Sequence, residues 1–183
     1  MLAHTGMRCG EALALRWRDF DAEAGTLPVR RSAGMVRTAS EGAGVVEGDT
    51  KSGRRRLIDL DDATAAVLRA RRRERGALAL QLARDDALIF GDLEGRLRNP
   101  EQVSRQFTRD VARCGAVPPI RLHDLRHTHA TILLTAREPV HVVSQRLGHA
   151  SAVVTMTVYA HVRPGSQRGA ANLFARLVGE AGA

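Results

Sequence analysis

The sequence predicts a mainly α fold with a small antiparallel β-sheet, which places it in the α+β class. From about residue 61 onward, apolar side chains recur every three or four positions, a spacing that is typical of amphipathic helices. Short strand-like segments are confined to residues 26–60, where glycines interrupt the chain. A length of 183 residues suits one domain with its own hydrophobic core.

The first third of the chain is predicted to contain one helix followed by short strands. Apolar residues that share a helical face predict the helix, and clusters of glycine mark the breaks after it. In chain order, the predicted elements are a helix over Thr5–Trp17, a turn over Asp19–Gly25, a strand over Thr26–Arg30, a largely open loop over Arg31–Gly48, and two strands at Val45–Glu47 and Arg56–Leu60 joined by the turn Lys51-Ser52-Gly53.

The remaining two thirds of the chain are predicted to be helical, and several helix ends are marked by capping residues. Asn99 precedes Pro100, so the asparagine can accept an unpaired backbone N–H while the proline occupies the first helical position. Asp61 or Asp62 is expected to cap an earlier helix in the same way. The predicted helices cover Ala63–Arg75, Pro100–Arg113 (ending at Gly115), Leu122–Leu134, Pro139–Leu147 (ending at Gly148), Ser151–Val158 and Gly169–Val178.

The charge balance indicates an anionic partner. The formal net charge is +8, and nucleic acid is the commonest polyanion bound by such basic chains. On charge alone, a basic protein without any nucleic-acid function remains an alternative. Aromatic residues make up only 3%, which disfavours single-strand binding by base stacking. The sequence contains no CxxC pair and no apolar run of eighteen residues, so we expect reduced cysteines, no membrane span and a cytoplasmic location.

The segment His123-Asp124-Leu125-Arg126-His127 holds the first candidate chemistry. His123 and Arg126 are three residues apart and share a helical face, where a guanidinium and an imidazole suit a phosphate ligand. An ordinary exposed helix with these side chains is an alternative. His123 and His127 also have the spacing of a zinc-binding pair, but the zinc-protease pattern requires Glu where Asp124 stands.

Three further positions have both a functional and a structural interpretation. Arg8 at a helix start could bind an anion with Glu11 fixing its orientation, or the two could form an ordinary surface ion pair. Lys51 lies at the predicted hairpin tip, where a lysine is normally solvated. Tyr159, the one tyrosine of the chain, could be a nucleophile near His149 or a core phenol at a helix end.

In combination, these residues resemble the active-site set of the tyrosine recombinases, the family of phage integrases and Xer-type resolving enzymes. The resemblance extends from Thr5 to about Val162. Its most specific segments are TGMRCGEALALRWRDFD, HDLRHTHAT, RLGHAS and TMTVYAHV, and DTKSGRRRLIDL resembles the family's hairpin. The six positions that follow the family's order are Arg8, Lys51, His123, Arg126, His149 and Tyr159.

The resemblance implies the tyrosine-recombinase catalytic-domain fold and a covalent mechanism. Tyr159 would attack a DNA phosphodiester, form a 3′-phosphotyrosine bond and release a 5′-hydroxyl, so that rejoining needs no ATP. Arg8 and Arg126 would hold the non-bridging phosphate oxygens and stabilise the transition state. Because this guanidinium pair neutralises the phosphate, the resemblance implies no metal and no cofactor.

The resemblance also assigns the supporting residues. Lys51 would be the general acid for the leaving 5′-oxygen, His123 would accept or return the tyrosine proton, and His149 would hydrogen-bond the phosphate. Glu11 would orient Arg8. Further phosphate contacts are expected from the cationic run Arg54, Arg55 and Arg56.

The expected partner is double-stranded DNA. Residues 1–183 are predicted to be the catalytic domain without the N-terminal core-binding domain of full-length relatives. Residues 165–183 form a helical tail whose apolar face either folds back or docks on a neighbouring protomer, as in a homo-tetramer on DNA. Three other functions stay open: a catalytically silent DNA-binding remnant, strand transfer of the type IB topoisomerase kind, and a zinc hydrolase.

Overall fold

Helices dominate the chain, and four short strands lie between the second and third of them. The computed structural model describes residues 1–38, 42–50, 53 and 55–160, and at 37, 38, 42, 43 and 158–160 it describes the backbone alone. The elements are α1 (Leu2–Thr5), α2 (Cys9–Leu13), β1 (Thr26–Val29), β2 (Arg31–Thr38), β3 (Gly42–Asp49), β4 (Arg56–Asp59), α3 (Asp62–Leu78), α4 (Pro100–Cys114), α5 (Asp124–Thr135), α6 (Val140–Leu147) and α7 (Ala152–Ala160), with short 3₁₀ turns at Trp17–Asp19 and Leu80–Ala83. The predicted fold class is confirmed.

The described strands form two separate antiparallel pairs. Strand β1 pairs with β4, and Leu27 lies opposite Ile58. Both of these side chains are fully buried, whereas Leu57 and Asp59 are exposed, so β4 alternates between the core and solvent. Strand β2 pairs with β3 along its whole length, from Arg31 opposite Asp49 onward.

The loop predicted over Arg31–Gly48 is therefore wrong, because the described residues of this segment form the paired strands β2 and β3. The strand predicted at Val45–Glu47 lies within β3. Gly34, Gly44 and Gly48, which suggested a loop, are paired across these strands, and a Cβ atom at any of them would meet no other atom within 4 Å. A close approach occurs instead at a glycine of α2. At Gly10 a Cβ atom would lie 2.2 Å from the carbonyl oxygen of Ala33, so only glycine lets α2 approach β2 this closely.

The single helix predicted over Thr5–Trp17 is also wrong. The chain forms α1 and α2 instead, since Gly6 has a left-handed backbone (φ 62°) that ends the first helix. Arg8 then adopts an extended conformation and becomes the N-cap of α2. The break turns the Gly6–Arg8 segment toward the rest of the domain, where it contributes to the site described below.

The hairpin predicted around Lys51 is not formed by the strands expected to flank it. Strands β3 and β4 belong to different pairs, so the segment between them crosses from one sheet to the other. The backbone N–H of Gly53 donates to the Thr50 carbonyl at 2.7 Å, as in a β-turn. Lys51 and Ser52 themselves lie outside the described residues, as does Arg54.

The predicted helix caps are confirmed where the structure describes them. The Asp61 carboxylate accepts from the Thr64 backbone N–H at 2.8 Å and begins α3. The Asn99 side chain accepts from two N–H groups of the first turn of α4, and Gly115 ends that helix at φ 63°. The helix predicted over Gly169–Val178 lies outside the described residues.

Two clusters of buried apolar residues support the domain. The larger one joins α2, β1, β4 and α3 around Trp17, whose indole N–H donates to the Leu82 carbonyl at 2.9 Å. The smaller one holds α5 against α6 through Ala130, Leu134, Val143 and Leu147. Helix α1 packs against α5, so the N-terminal segment lies next to the second cluster.

Neither a membrane span nor a multidentate metal site occurs in the part of the chain that the structure describes. No described helix has the length and apolar character needed to cross a bilayer. The described His, Cys, Asp and Glu side chains include no group of three arranged to hold a metal ion.

We expect Asn99→Ala to lower the free energy of unfolding by about 1 kcal/mol, because α4 would lose the acceptor for its first N–H groups. Urea denaturation followed by circular dichroism measures this difference. Asn99→Asp is the matched control, since it keeps an acceptor oxygen at the cap. Equal stability of the alanine variant and the wild type would contradict the capping function.

Candidate functional site

The Arg126 guanidinium lies at the centre of the candidate site. This side chain projects from α5 and is 4% exposed. Its Nη1 donates to the Gly6 carbonyl oxygen at 2.6 Å, and its Nη2 donates to the Leu147 carbonyl oxygen at 2.7 Å. Gly6 is two residues before Arg8, and Leu147 is two residues before His149. One arginine therefore joins the two segments that carry these predicted site residues.

The site carries an excess of positive charge. Burial and, after it, the charges of the neighbouring Arg8 and Arg56 guanidiniums together lower the pKa of Arg126 to about 10, although Glu11 opposes them. Arg126 is still protonated at neutral pH. A buried cation whose pKa falls in this way is stabilised by a bound anion.

Glu11 is the carboxylate that partly balances this charge. It is 1% exposed, and its Oε1 accepts from Arg8 Nη1 at 3.0 Å while its Oε2 accepts from the Arg8 backbone N–H at 2.9 Å. Burial raises the pKa of Glu11, but the hydrogen bond and charge of Arg56, followed by those of Arg8, outweigh that effect and hold the pKa below its usual value. The structure thus places the Glu11 carboxylate in direct contact with Arg8.

Arg56 has a different environment from the one expected. Its side chain is buried and donates from Nη1 and Nη2 to the two carboxylate oxygens of Glu11, at 3.0 and 2.7 Å. Its Nε donates to the Arg146 carbonyl at 2.9 Å. The expectation that Arg56 contacts DNA phosphates is therefore corrected, because its guanidinium already binds Glu11 and α6. Arg55, by contrast, is exposed.

Three guanidiniums thus surround one carboxylate. The charges of Arg8 and Arg56 lower the pKa of Glu11, and the charges of Arg8, Arg56 and Glu11 all affect the pKa of Arg126. Glu11 is the carboxylate of this group. Three positive charges against one negative charge leave a net charge of +2. Arg8 is the most accessible of the three, with 26% of its side chain exposed. A doubly charged surplus with one accessible guanidinium is suited to a phosphate group.

His149 follows the αL residue Gly148 (φ 68°) at the end of α6. Its Nδ1 lies 2.8 Å from Oγ1 of Thr155, a fully buried residue of α7. Burial and, after it, the charges of Arg126 and Arg8 together lower the pKa of His149 to about 4. The imidazole is therefore neutral at pH 7. It lies close enough to the guanidiniums for their charges to lower its pKa.

His123 is the N-cap residue of α5 and is exposed. Partial loss of water around the ring lowers its pKa, and the charges of His127, Arg126 and Arg8 add to this effect, so this imidazole also belongs to the cluster. Its ring meets that of His127 edge to face, with centroids 5.1 Å apart.

A cavity of about 860 Å³ opens beside His123 and is rich in arginine. Arg105 and Arg109 line it from α4, one helical turn apart, and Arg121 lines it from the segment just before α5. Arg121 is paired with Asp124 at 2.9 Å, whereas Arg105 and Arg109 form no ion pair with a described residue. Sequence analysis predicted the helix but missed this basic face, which the i, i+4 spacing of the two arginines could have revealed.

The structure brings together five of the predicted site residues. Electrostatic effects and hydrogen bonds connect Arg8, Glu11, His123, Arg126 and His149. Arg55 lines a second cavity, of about 320 Å³, together with His149. Tyr159 lies in α7, ten residues after His149, where the structure describes its backbone alone. Lys51 and Arg54 lie outside the described residues.

A sequence model of the phage integrase family matches residues 1–165. The chain belongs to this family. The integrase of ICEBs1 from Bacillus subtilis is 30% identical over 169 residues, which cover 90% of this chain and 44% of that protein. A XerC-like tyrosine recombinase from Caldanaerobacter subterraneus is 29% identical over 171 residues, which cover 87% of this chain and 44% of that protein. The chain thus spans less than half the length of these relatives.

Solved structures of phage integrase relatives share the fold. The Tn1549 transposon integrase, solved in complex with a circular intermediate DNA, superposes with a TM-score of 0.76 at 20% identity, covering 96% of this chain and 56% of that one. The XerA recombinase gives a TM-score of 0.66 at 22% identity, covering 94% of this chain and 55% of that one. The tyrosine-recombinase catalytic-domain fold is therefore confirmed.

Lowering the pH should destabilise this phage integrase domain through His149. Because burial and nearby arginines lower its pKa from 6.5 to about 4, the unfolded chain binds more protons than the folded chain between these pH values. We therefore expect the free energy of unfolding to fall as the pH decreases from 6.5 to 4.

The His149→Gln variant should lose stability less steeply over the same pH range, as measured by urea denaturation at several pH values. A residual slope is expected, since burial also lowers the pKa values of His123 and His129. Identical pH slopes for the variant and the wild type would contradict the lowered pKa of His149.

Proposed function

We propose that the chain cleaves and rejoins duplex DNA through a 3′-phosphotyrosine bond at Tyr159. The observation that carries this proposal is the surplus of guanidinium groups around Glu11, with Arg126 buried and Arg8 partly accessible. A phosphodiester in the transition state of cleavage gains negative charge, and preorganised donors stabilise that charge most when water is excluded.

Arg8 and Arg126 are proposed to bind the two non-bridging oxygens of the scissile phosphate. Arg126 uses one N–H for Gly6 and one for Leu147, and a guanidinium carries five, so donors remain for a ligand. Its carbonyl bonds fix it before DNA arrives. Loss of one such donor typically lowers the rate by about 10²–10³.

The two imidazoles are proposed to have complementary functions. His123, whose lowered pKa favours the neutral form, accepts the hydroxyl proton as Tyr159 attacks phosphorus. His149, also neutral, donates one hydrogen bond to a phosphate oxygen. Lys51 gives its proton to the departing 5′-oxygen, and the reverse transfers accompany rejoining. This reaction conserves the bond energy in the phosphotyrosine and requires no cofactor or metal.

Duplex DNA is the proposed partner. The exposed Arg55, Arg105 and Arg109 extend the positive charge beyond the reacting phosphate. DNA is bound in the Tn1549 integrase complex, a relative that shares the fold, which supports this partner. We further propose that the chain acts on DNA in the cytoplasm, and that residues 165–183 join protomers into a homo-oligomer such as a tetramer.

Tyr159→Phe should abolish covalent adduct formation while leaving the affinity for DNA nearly unchanged, because the substitution removes only the attacking oxygen. A duplex of the site flanking the gene, nicked so that the product cannot rejoin, traps the adduct for a denaturing gel. The wild-type band should form in the presence of a metal chelator. An adduct that persists in the phenylalanine variant would assign the nucleophile to another residue, and DNA binding without any wild-type adduct would contradict catalysis.

Affinity for a random-sequence duplex should fall steeply with salt, because several phosphates are neutralised. Arg105→Gln and Arg109→Gln should each reduce the slope of log K against log salt concentration by about one. Fluorescence anisotropy over a salt series measures these slopes. Arg113→Gln is the matched control on α4, since Arg113 lies outside the cavity and pairs with Asp110. A slope that none of these variants changes would exclude α4 from the DNA interface.

A further inference from the structure

The contact between His149 and Thr155 connects the site to the helix that carries Tyr159. Nδ1 of His149 and Oγ1 of Thr155 are 2.8 Å apart. Thr155 is completely buried, so water does not offer its hydroxyl an alternative partner. Thr155 precedes Tyr159 by four residues in α7, which places both on the same face of the helix.

The Thr155 hydroxyl differs from those of two other helical threonines, Thr108 and Thr128. Thr108 and Thr128 donate to the carbonyl oxygens of Ser104 and Asp124, four residues earlier in their own helices, at 3.2 and 3.0 Å. That is the usual local bond of a helical threonine. Among the described residues, the partner of the Thr155 hydroxyl is the His149 ring instead.

The direction of this hydrogen bond determines the tautomer of His149. A buried hydroxyl can always accept, but its proton also needs an acceptor, and unmet donors in the interior are costly. If Nδ1 carried the ring proton, it would donate to Oγ1 and leave the hydroxyl proton of Thr155 without a described acceptor. If Thr155 donates to Nδ1, the hydroxyl proton is satisfied and the ring proton lies on Nε2.

We propose that Thr155 is a positioning residue that donates to Nδ1 and thereby holds His149 as the Nε2–H tautomer. The ring then presents its single N–H on the side away from α7. The catalytic consequence rests on the proposed function: this N–H donates to the phosphate oxygen held by Arg8 and Arg126, whereas the other tautomer would present a lone pair to the same anion. The lowered pKa of His149 supports the assignment, because a neutral ring has one proton to place.

The same bond links the position of α7 to that of His149. A rise of about 1.5 Å per residue puts Tyr159 roughly 6 Å along the helix from Thr155. The contact therefore sets both the donor to the phosphate and the register of the helix that brings the nucleophile to it. Neither effect requires Thr155 to touch DNA.

Nuclear magnetic resonance of the ¹⁵N-histidine-labelled full chain tests the tautomer without DNA or catalysis. The His149 signals are assigned by their loss in His149→Gln. We expect Nε2 to carry the proton in the wild type and in Thr155→Ser, which keeps the hydroxyl. In Thr155→Val we expect a mixture of tautomers. Protonated Nδ1 in the wild type would overturn the proposal, and so would an unchanged tautomer in Thr155→Val. The wild-type spectrum decides even if the valine variant does not fold.

The nicked-duplex assay measures the consequence for catalysis. Thr155→Val should slow adduct formation by about 10- to 100-fold, as is common when a hydrogen bond that orients a site residue is lost. The affinity for DNA should be unchanged, and Thr155→Ser should restore most of the rate. Thr128→Val, a matched exposed threonine on α5, is the control and should react like the wild type.

An unchanged rate in Thr155→Val would overturn the positioning function. Absence of an adduct from the wild type would contradict the proposed reaction instead, while the tautomer measurement would still decide the assignment of Thr155.

Discussion

The bonds from Arg126 to the carbonyl oxygens of Gly6 and Leu147 are the constraint on which the site depends. These acceptors are 120 and 21 residues away in the sequence, so neither segment could hold its position through local contacts. Burying a guanidinium is costly unless its donors are satisfied, and here backbone carbonyls satisfy two of them. Because these two carbonyl groups come from the end of α1 and from α6, the Arg126 side chain can be buried at low cost only when α1, α5 and α6 are packed together.

Glu11 has a parallel function on the other side of the site. Its buried carboxylate binds Arg8 through the backbone and the side chain, and binds Arg56 through both oxygens. One negative charge therefore fixes two positive ones, and the remaining surplus is available to a ligand. The two arginines differ in their surroundings: Arg56 is buried and joins Glu11 to α6, whereas Arg8 stays partly accessible to solvent.

Sequence analysis predicted the members of the site better than their connections. Arg8, His123, Arg126 and His149 could be named because their order and neighbouring motifs are distinctive. The bonds of Arg56 to Glu11 and of Thr155 to His149 were not predicted, because burial and hydrogen-bond partners depend on tertiary packing that no local pattern records. In the fold, helix caps such as Asn99 were predictable from local chemistry. The β2–β3 hairpin was not, since its glycines suggested a loop and its pairing depends on the opposite strand.

Two glycines limit how this scaffold can diverge. A Cβ atom at Gly6 would lie 2.6 Å from a Leu147 methyl carbon and 2.8 Å from the His129 ring, and one at Gly148 would lie 2.7 Å from Arg56. Both residues also have left-handed backbones, so a substitution would add backbone strain to the steric clash of the new side chain. Side chains can therefore not be added beside the charge cluster without displacing it, whereas α4 has no buried residue and tolerates substitution at its surface.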